Sequence, residues 1–246
     1  MNRTLALVYG IVCYLLFFVT FLYSVGFVGG FVVPKTIDSG APAPVVEALI
    51  VNLLLLGVFA VQHSVMARPG FKRWWTQYVS PVIERSTYVL LSSLALILLY
   101  WQWRAMPDVI WDVQHAMGRS ALWALFWLGW VIVLVSTFLI SHFDLMGLRQ
   151  VWMHFRSEEY RPVGFRKVFL YNFVRHPIML GFITAFWATP HMSAGHLLFA
   201  MATTAYILIA LQLEERDLVA HLGVVYEEYR AEVSMIIPLP RKNRAP

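Results

Sequence analysis

Residues 175–217 read RHPIMLGFITAFWATPHMSAGHLLFAMATTAYILIALQLEERD, and the fold turns on them. From Gly181 to Leu213, thirty-three residues pass without one Asp, Glu, Lys or Arg. Pro190 and Gly195 punctuate the stretch, which predicts two membrane-crossing helices joined by a tight turn, with their outer ends on one surface. Arg175-His176-Pro177 and Glu214-Glu215-Arg216-Asp217 then meet at the mouth of the hairpin. A cation, an imidazole and two carboxylates gathered there suit a polar, charged cofactor held against a lipid-soluble substrate.

The rest of the chain agrees with a bilayer solvent. Of its 246 residues, 59% are hydrophobic and 13% charged, against about 25% charged in a soluble domain. The expected fold class is all-α, a polytopic bundle of about six transmembrane helices over 5–33, 45–66, 88–106, 120–141, 177–189 and 196–213. The first span is over-long and tilted; the fifth is short. The whole chain, 1–246, reads as one integral-membrane domain, with a four-helix N-terminal part (1–141) and a cofactor-binding C-terminal part (142–246). The first apolar run far exceeds the 7–15 residues of a signal-peptide core, so it is not expected to be cleaved. Residues 34–44 read as a loop. A lone Cys13 leaves no disulfide framework and no cysteine metal cage.

Sixteen of the nineteen Lys and Arg fall on one face of this arrangement, leaving Lys35, Arg104 and Arg119 on the other. The positive-inside rule predicts both termini and the two charged clusters on the cytoplasmic side. The net charge of +5 is then membrane topology and does not point to nucleic acid.

His176-Pro177 has a specific backbone consequence. Proline pushes its predecessor out of helical space and is at ease in the first helical position, so a helix is expected to begin at Pro177. Its free N–H groups and positive dipole end favour a carboxylate, with Arg175 alongside as a fork donor. Gly181, one turn in, lets another backbone or a ligand approach. Glu214-Glu215 closes the sixth span, where acids are costly and call for a partner: a ligand amine, a ribose diol, or simply Arg216 or Arg175. Leu218, Leu222, Val225 and Tyr229 then recur at helical spacing, predicting an amphipathic cytoplasmic arm before an extended apolar tail at 236–240.

Arg-His-Pro-x-x-x-Gly opening a helical hairpin, then Glu-Glu-Arg-x-Leu, Gly223 and Tyr226-x-x-Tyr229, resembles the membrane methyltransferases typified by isoprenylcysteine carboxyl methyltransferase. The resemblance implies that Arg175, His176, Pro177, Gly181, Glu214 and Glu215 border S-adenosylmethionine; Gln150 and Tyr171 complete the candidate cofactor set. Upstream, Gln62-His63-Ser64-x-Met66-Ala67, Glu84-Arg85-Ser86-Thr87-Tyr88, His142-Phe143-Asp144-Leu145-x-Gly147-Leu148-Arg149-Gln150 and Phe186-Trp187-Ala188-Thr189-Pro190 are similar to the nurim-like branch, in particular its bacterial methanethiol S-methyltransferases. That similarity runs over nearly the whole chain. It implies S-methylation of methanethiol, a small volatile thiol, to dimethyl sulfide.

A thiol with a reference pKa of about 8.5 is a weak nucleophile at neutral pH until a base takes its proton. Asp144 and His142 are the preferred acceptors, with His63 behind them. Spaced by two, the first pair shares a face only if the helix ends between them, as Gly147 suggests. Arg149 and Gln150 could orient the base, or Arg149 could hold the cofactor's carboxylate. Among the ten Trp, most of Trp74, Trp75, Trp101, Trp103 and Trp111 read as interfacial belt residues, whereas some of Trp123, Trp127, Trp130, Trp152 and Trp187 could line a small apolar pocket. No metal is required by this chemistry. Two rival readings are methylation of a larger lipidic acceptor, such as an isoprenylated thiol or phospholipid amine, and a haem- or ion-handling membrane protein.

Overall fold

The computed structural model describes residues 2–40 and 43–238; Leu239 and Pro240, the end of the expected extended tail, lie outside them. The chain runs α1 (Arg3–Gly29), α2 (Val45–Ala67), α3 (Pro69–Trp75), α4 (Pro81–Gln102), β1 (Val109–Asp112), α5 (Ala116–Ile140), α6 (His142–Leu145), α7 (Leu148–Phe155), α8 (Pro177–Trp187), β2 (His191–Ser193), α9 (Ala194–Leu222) and α10 (Val224–Glu232). Among the described residues α1, α2, α4, α5 and α9 are long and apolar enough to cross a membrane. Leu5, Val46, Leu54 and Ile209 are each more than 60% exposed, as lipid-facing side chains are. The protein is an integral membrane helical bundle.

Two features of the hairpin at 175–217 differ from expectation. α8 has only 11 residues, about 16 Å at 1.5 Å per residue, roughly half of a hydrocarbon core. It begins at Pro177, as the proline requires, and ends at Trp187 because Pro190 biases the chain before it toward extended backbone. The connection from α8 to α9 is also more than a tight turn. In it β2 pairs antiparallel with β1, Trp111 opposite Met192 and Asp112 opposite His191. α4 also starts earlier than its apolar run, at Pro81, with the Ser80 hydroxyl accepting from the Val82 amide. Glu84 and Arg85 in its first turns dilute the hydropathy signal there.

The chain divides into two compact units. Unit 1 comprises Met1–Asp112, Ser141–Val163 and His191–Leu198. In it α4 packs on both α1 and α2, and its buried residues include Ser86, Ser92, Ser93 and Ala95. The Ser92 and Ser93 hydroxyls donate to carbonyls one turn back, at 2.9 and 2.8 Å, so small polar residues pack closely without an unmet hydrogen bond. Gly147, at φ 86°, sets α7 against α4, and a Cβ there would fall 2.6 Å from the Ser86 amide.

Unit 2 comprises Val113–Ile140, Gly164–Pro190 and Phe199–Pro246. Its centre is the crossing of α5 and α8, where a Cβ on Gly129 or Gly181 would lie within 2.7 Å of the other's carbonyl oxygen. The close approach foreseen at Gly181 is therefore made by a neighbouring helix backbone. Trp130 packs edge-on against Phe126, Phe182 and Phe186, and Trp187 donates to Thr204 at 2.9 Å. Ile207 and Leu211 of α9 pack with Met179, Leu180 and Ile183 of α8, and Ile236 joins them.

Candidate functional site

The strongest cluster of ionisable groups in unit 2 forms where α8 begins. His176 precedes Pro177 with φ −125° and ψ 65°, outside the helix, and so leaves its side chain free to turn away. The extended chain there is stitched to the region after α10: the Arg175 amide donates to the Ser234 carbonyl at 2.8 Å and the His176 amide to the Met235 carbonyl at 3.1 Å. Gly223, at φ 58°, breaks the helical course between α9 and α10. Leu218, Val219 and Leu222 then pack against Tyr226, Tyr229 and Val233, while Val225, expected on the same face, is exposed.

Glu215 sits at the middle of this knot, its side chain 7% exposed. Arg175 grips it with two parallel bonds, Nε to Oε1 at 2.6 Å and Nη2 to Oε2 at 3.0 Å. The remaining donor nitrogen of Arg175, Nη1, bonds the carbonyls of Arg230 and Val233. His176 Nε2 lies 3.0 Å from Glu215 Oε1, the Tyr226 hydroxyl donates to that same oxygen at 3.2 Å, and Arg230 Nε stands 3.2 Å from Oε2. A buried carboxylate needs such a set of partners; removing one would strand a charge in low dielectric.

Glu214, by contrast, is 47% exposed, with His176 Nδ1 4.0 Å from its Oε2. The two acids share neither burial nor task. A recess of about 310 Å³ opens beside the knot, lined by Arg175, Glu227, Arg230 and Ala231. Burial pushes the Tyr226 phenol up, and the Glu215 charge adds to the shift. Burial likewise pushes Tyr229 up to about 12. Both phenols stay protonated as donors, Tyr229 to the Tyr171 carbonyl at 2.6 Å.

In unit 1 a second cluster surrounds Asp144 on the single turn α6. Arg149 Nη1 donates to Oδ1 at 3.0 Å and to the Arg161 carbonyl at 2.9 Å, and the Tyr160 hydroxyl donates to Oδ2 at 3.2 Å. Gln150 Nε2 donates to the Asp144 carbonyl at 3.1 Å. Its Oε1 is buried without a hydrogen-bond partner among the described residues.

The matches to known proteins bear on these clusters. Residues 51–216 match a family model described as NnrU protein. The chain belongs to the NnrU protein family. Within it, this NnrU chain is 63% identical to the Methanethiol S-methyltransferase of Mycobacterium tuberculosis (strain ATCC 25618 / H37Rv), over 99% of this chain and 100% of the relative. It is 56% identical to Methanethiol S-methyltransferase 2 of Bradyrhizobium diazoefficiens, over 96% of this chain and 91% of the relative. Nurim of Rattus norvegicus is 31% identical over 71% of this chain and 69% of the relative. No solved structure matches the chain.

In this NnrU-family protein Arg175, His176, Glu214 and Glu215 come together as the sequence suggested. Pro177 starts the helix beside them, and Gly181 faces Gly129. Tyr171 is buried, its hydroxyl donating to the Ser136 carbonyl at 3.3 Å. Gln150 belongs with Asp144. His142 and Asp144 share one turn of helix, with breaks at Ser141 and Gly147 and none between them, so they diverge. His142 Nε2 meets the Tyr14 hydroxyl at 3.1 Å, and burial lowers the pKa of its imidazole. His63 lies between Tyr88, at 2.9 Å, and Ser92, at 3.2 Å. Trp103, read as an interfacial residue, is fully buried, its Nε1 donating to the Ile37 carbonyl. Arg230, Tyr160 and Tyr14 were not singled out in the sequence. The spacing of Tyr226, Tyr229 and Arg230 on one helical face was the available signal for the first.

Proposed function

We propose that the chain is an S-adenosylmethionine-dependent S-methyltransferase that converts methanethiol to dimethyl sulfide. The observation that carries the reading is the buried Glu215 carboxylate holding Arg175, His176 and Tyr226 at the start of α8, in a chain whose full-length relatives bear that name. The residues fit such a donor: Arg230, half exposed, offers a cation for a carboxylate, and exposed Glu214 offers acceptors for an amine or a ribose diol. When bound, S-adenosylmethionine supplies a sulfonium methyl group for in-line displacement by sulfur.

The protein's own work is to fix the partners and to take the thiol proton. Arg175 is spent on Glu215 and two carbonyls, so its role is to hold that carboxylate, the Arg230 and Val233 carbonyls, and the mouth of α8 in place. Asp144 is assigned as proton acceptor. Arg149 and Tyr160 each occupy one lone pair on its oxygens and fix the carboxylate plane, leaving the other lone pairs open. His142 and His63 stand behind it, each already bonded to a tyrosine hydroxyl. Selectivity for one methyl and a sulfur would rest on volume, since such a thiol has almost no polar handle. Both termini and the Arg175 cluster are placed on the cytoplasmic face of the inner membrane by the bias of Lys and Arg.

Calorimetry of the purified protein with S-adenosylmethionine tests the donor, and absence of binding would remove every version of the reading. Turnover of methanethiol but not of a prenylated cysteine separates the small thiol from a lipidic acceptor. Replacing Asp144 with Asn is expected to lower dimethyl sulfide formation about 10²–10⁴-fold with cofactor affinity near normal. Unchanged turnover would transfer the role to one of the histidines.

A further inference from the structure

Where α2 begins and α4 ends, unit 1 carries a recess of about 300 Å³ whose lining includes Lys35, Glu47, Trp103 and Arg104. Lys35 and Arg104 are two of the three cations that the sequence puts on the face opposite the sixteen. Their convergence on one recess is therefore not explained by the general bias of charge.

The surroundings hold the backbone that carries both cations. Asn52 is completely buried and clasps the Arg104 backbone from both sides, accepting from its amide at 2.9 Å and donating to its carbonyl at 2.8 Å. Buried Trp103 donates to the Ile37 carbonyl at 3.0 Å, and the Tyr23 hydroxyl donates to the Lys35 carbonyl at 3.1 Å, which pins the loop bearing Lys35. A fully buried asparagine inside a membrane bundle is expensive unless satisfied, and here its amide is used to fix the backbone under one guanidinium.

The charges themselves are under-compensated. The Lys35 ammonium bonds the Trp101 carbonyl, and the Arg104 guanidinium the Gln102 carbonyl. Among the described residues Glu47 is the one carboxylate in the lining, and it stands 3.8 Å from Arg104, too far for a charge-assisted hydrogen bond. Burial and then the nearby Arg104 charge both push the Lys35 ammonium pKa down. Two cations with one loosely engaged carboxylate form a complementary imprint of a group carrying a phosphate and, a few ångströms away, an ammonium.

We propose that this recess binds a phosphoethanolamine group, the headgroup of phosphatidylethanolamine: Lys35 and Arg104 donate to the phosphate, and Glu47 accepts from the ammonium. A lipid is the source because the recess opens at the ends of two membrane-spanning helices, next to exposed Val45, Val46, Ile50 and Trp101. Acyl chains can lie along that flank. Phosphatidylcholine, whose quaternary nitrogen has no N–H, cannot satisfy Glu47 in the same way, and phosphatidylglycerol leaves it opposite a hydroxyl. None of these residues belongs to the unit that carries Arg175 and Glu215, and the lipid is a bound component, not a methyl acceptor.

The test is native mass spectrometry of the full-length protein released from nanodiscs containing equal phosphatidylethanolamine, phosphatidylcholine and phosphatidylglycerol. The wild-type protein is expected to retain one phosphatidylethanolamine in preference to the others. Lys35→Gln and Arg104→Gln should each lower that retention about tenfold, the scale of one hydrogen bond to a charged group. Glu47→Gln, at an exposed position, should keep a lipid but lose the choice of phosphatidylethanolamine over phosphatidylglycerol. Unchanged dimethyl sulfide formation and melting temperature identify the variants as folded. Equal retention of the three lipids, or a Glu47→Gln protein with wild-type preference, overturns the proposal. So does calorimetric binding of soluble phosphoethanolamine as tight as that of the lipid, because the ligand would then be a free metabolite.

Discussion

Glu215 in unit 2 and Asp144 in unit 1 are each held by an arginine, yet the two pairs differ in kind. Arg175 and Glu215 are 9% and 7% exposed, joined by two parallel bonds, with a histidine, a tyrosine and a second arginine on the same carboxylate. Arg149 and Asp144 are 32% and 18% exposed and share one bond. Burial decides what each pair does. The first cannot lose a partner without stranding a charge in low dielectric, so it acts as a structural rivet around which a ligand site can be built. The second remains partly solvated, and its carboxylate can exchange partners, as the role proposed above for Asp144 requires.

That contrast can be broken most sharply at Arg175. Arg175→Ala is expected to cost about 3–5 kcal/mol of stability by taking from buried Glu215 its two-bond partner and leaving Arg230, half exposed, as the remaining arginine, read as a large drop in melting temperature in detergent. A melting curve like the wild type's would mean that water reaches Glu215 freely. Next in size is the crossing of α5 and α8, which positions the knot: Gly181→Val should destabilise by at least about 1–3 kcal/mol, since a Cβ has no room beside Gly129. If this variant melts normally, α8 is not held where its backbone meets α5. Arg149→Ala is expected to change stability by no more than about 1 kcal/mol while impairing turnover, and a loss as large as that at Arg175 would erase the distinction between the pairs.

The smallest effect is one of pH. Burial lowers the pKa of His142 below its ordinary value of 6.5, so the folded state binds its proton less readily than the unfolded chain does. Its contribution to stability is complete above about pH 6.5 and is lost as pH falls through the lower folded value. Melting temperatures from pH 7 to 5 should fall less steeply in His142→Gln than in the wild type. Parallel curves would show that the imidazole titrates as though in water.

The motifs in the sequence located the Arg175 knot because they depend on local rules. Proline fixes where α8 starts, and an acidic pair at the end of an apolar helix needs a counter-charge. Asp144 with Arg149 was legible for the same reason, both lying within one short segment. Tyr160 and Tyr14 were not, because each reaches its partner through a fold in the backbone that no periodicity records, and Arg230 shared a helical face with Tyr226 and Tyr229 without any local sign of which carboxylate it would meet. β2 was hidden as well: three residues after a proline carry no strand pattern, and only pairing with β1 makes them one. Trp103 is an exception within a group read as mostly interfacial. Its neighbourhood resembles a membrane interface, but packing against Phe27 and the loop at Ile37 buries it.

What the sequence by itself determined is the solvent and the placing of charge: long apolar runs commit the chain to a bilayer, and the rare charges beside them mark where ionisable clusters gather. Tertiary structure alone decided which of two adjacent glutamates is buried. Glu214 and Glu215 are indistinguishable as residues. Helical geometry turns them about 100° apart, and only the return of α10, with Tyr226 and Arg230, encloses one and leaves the other exposed.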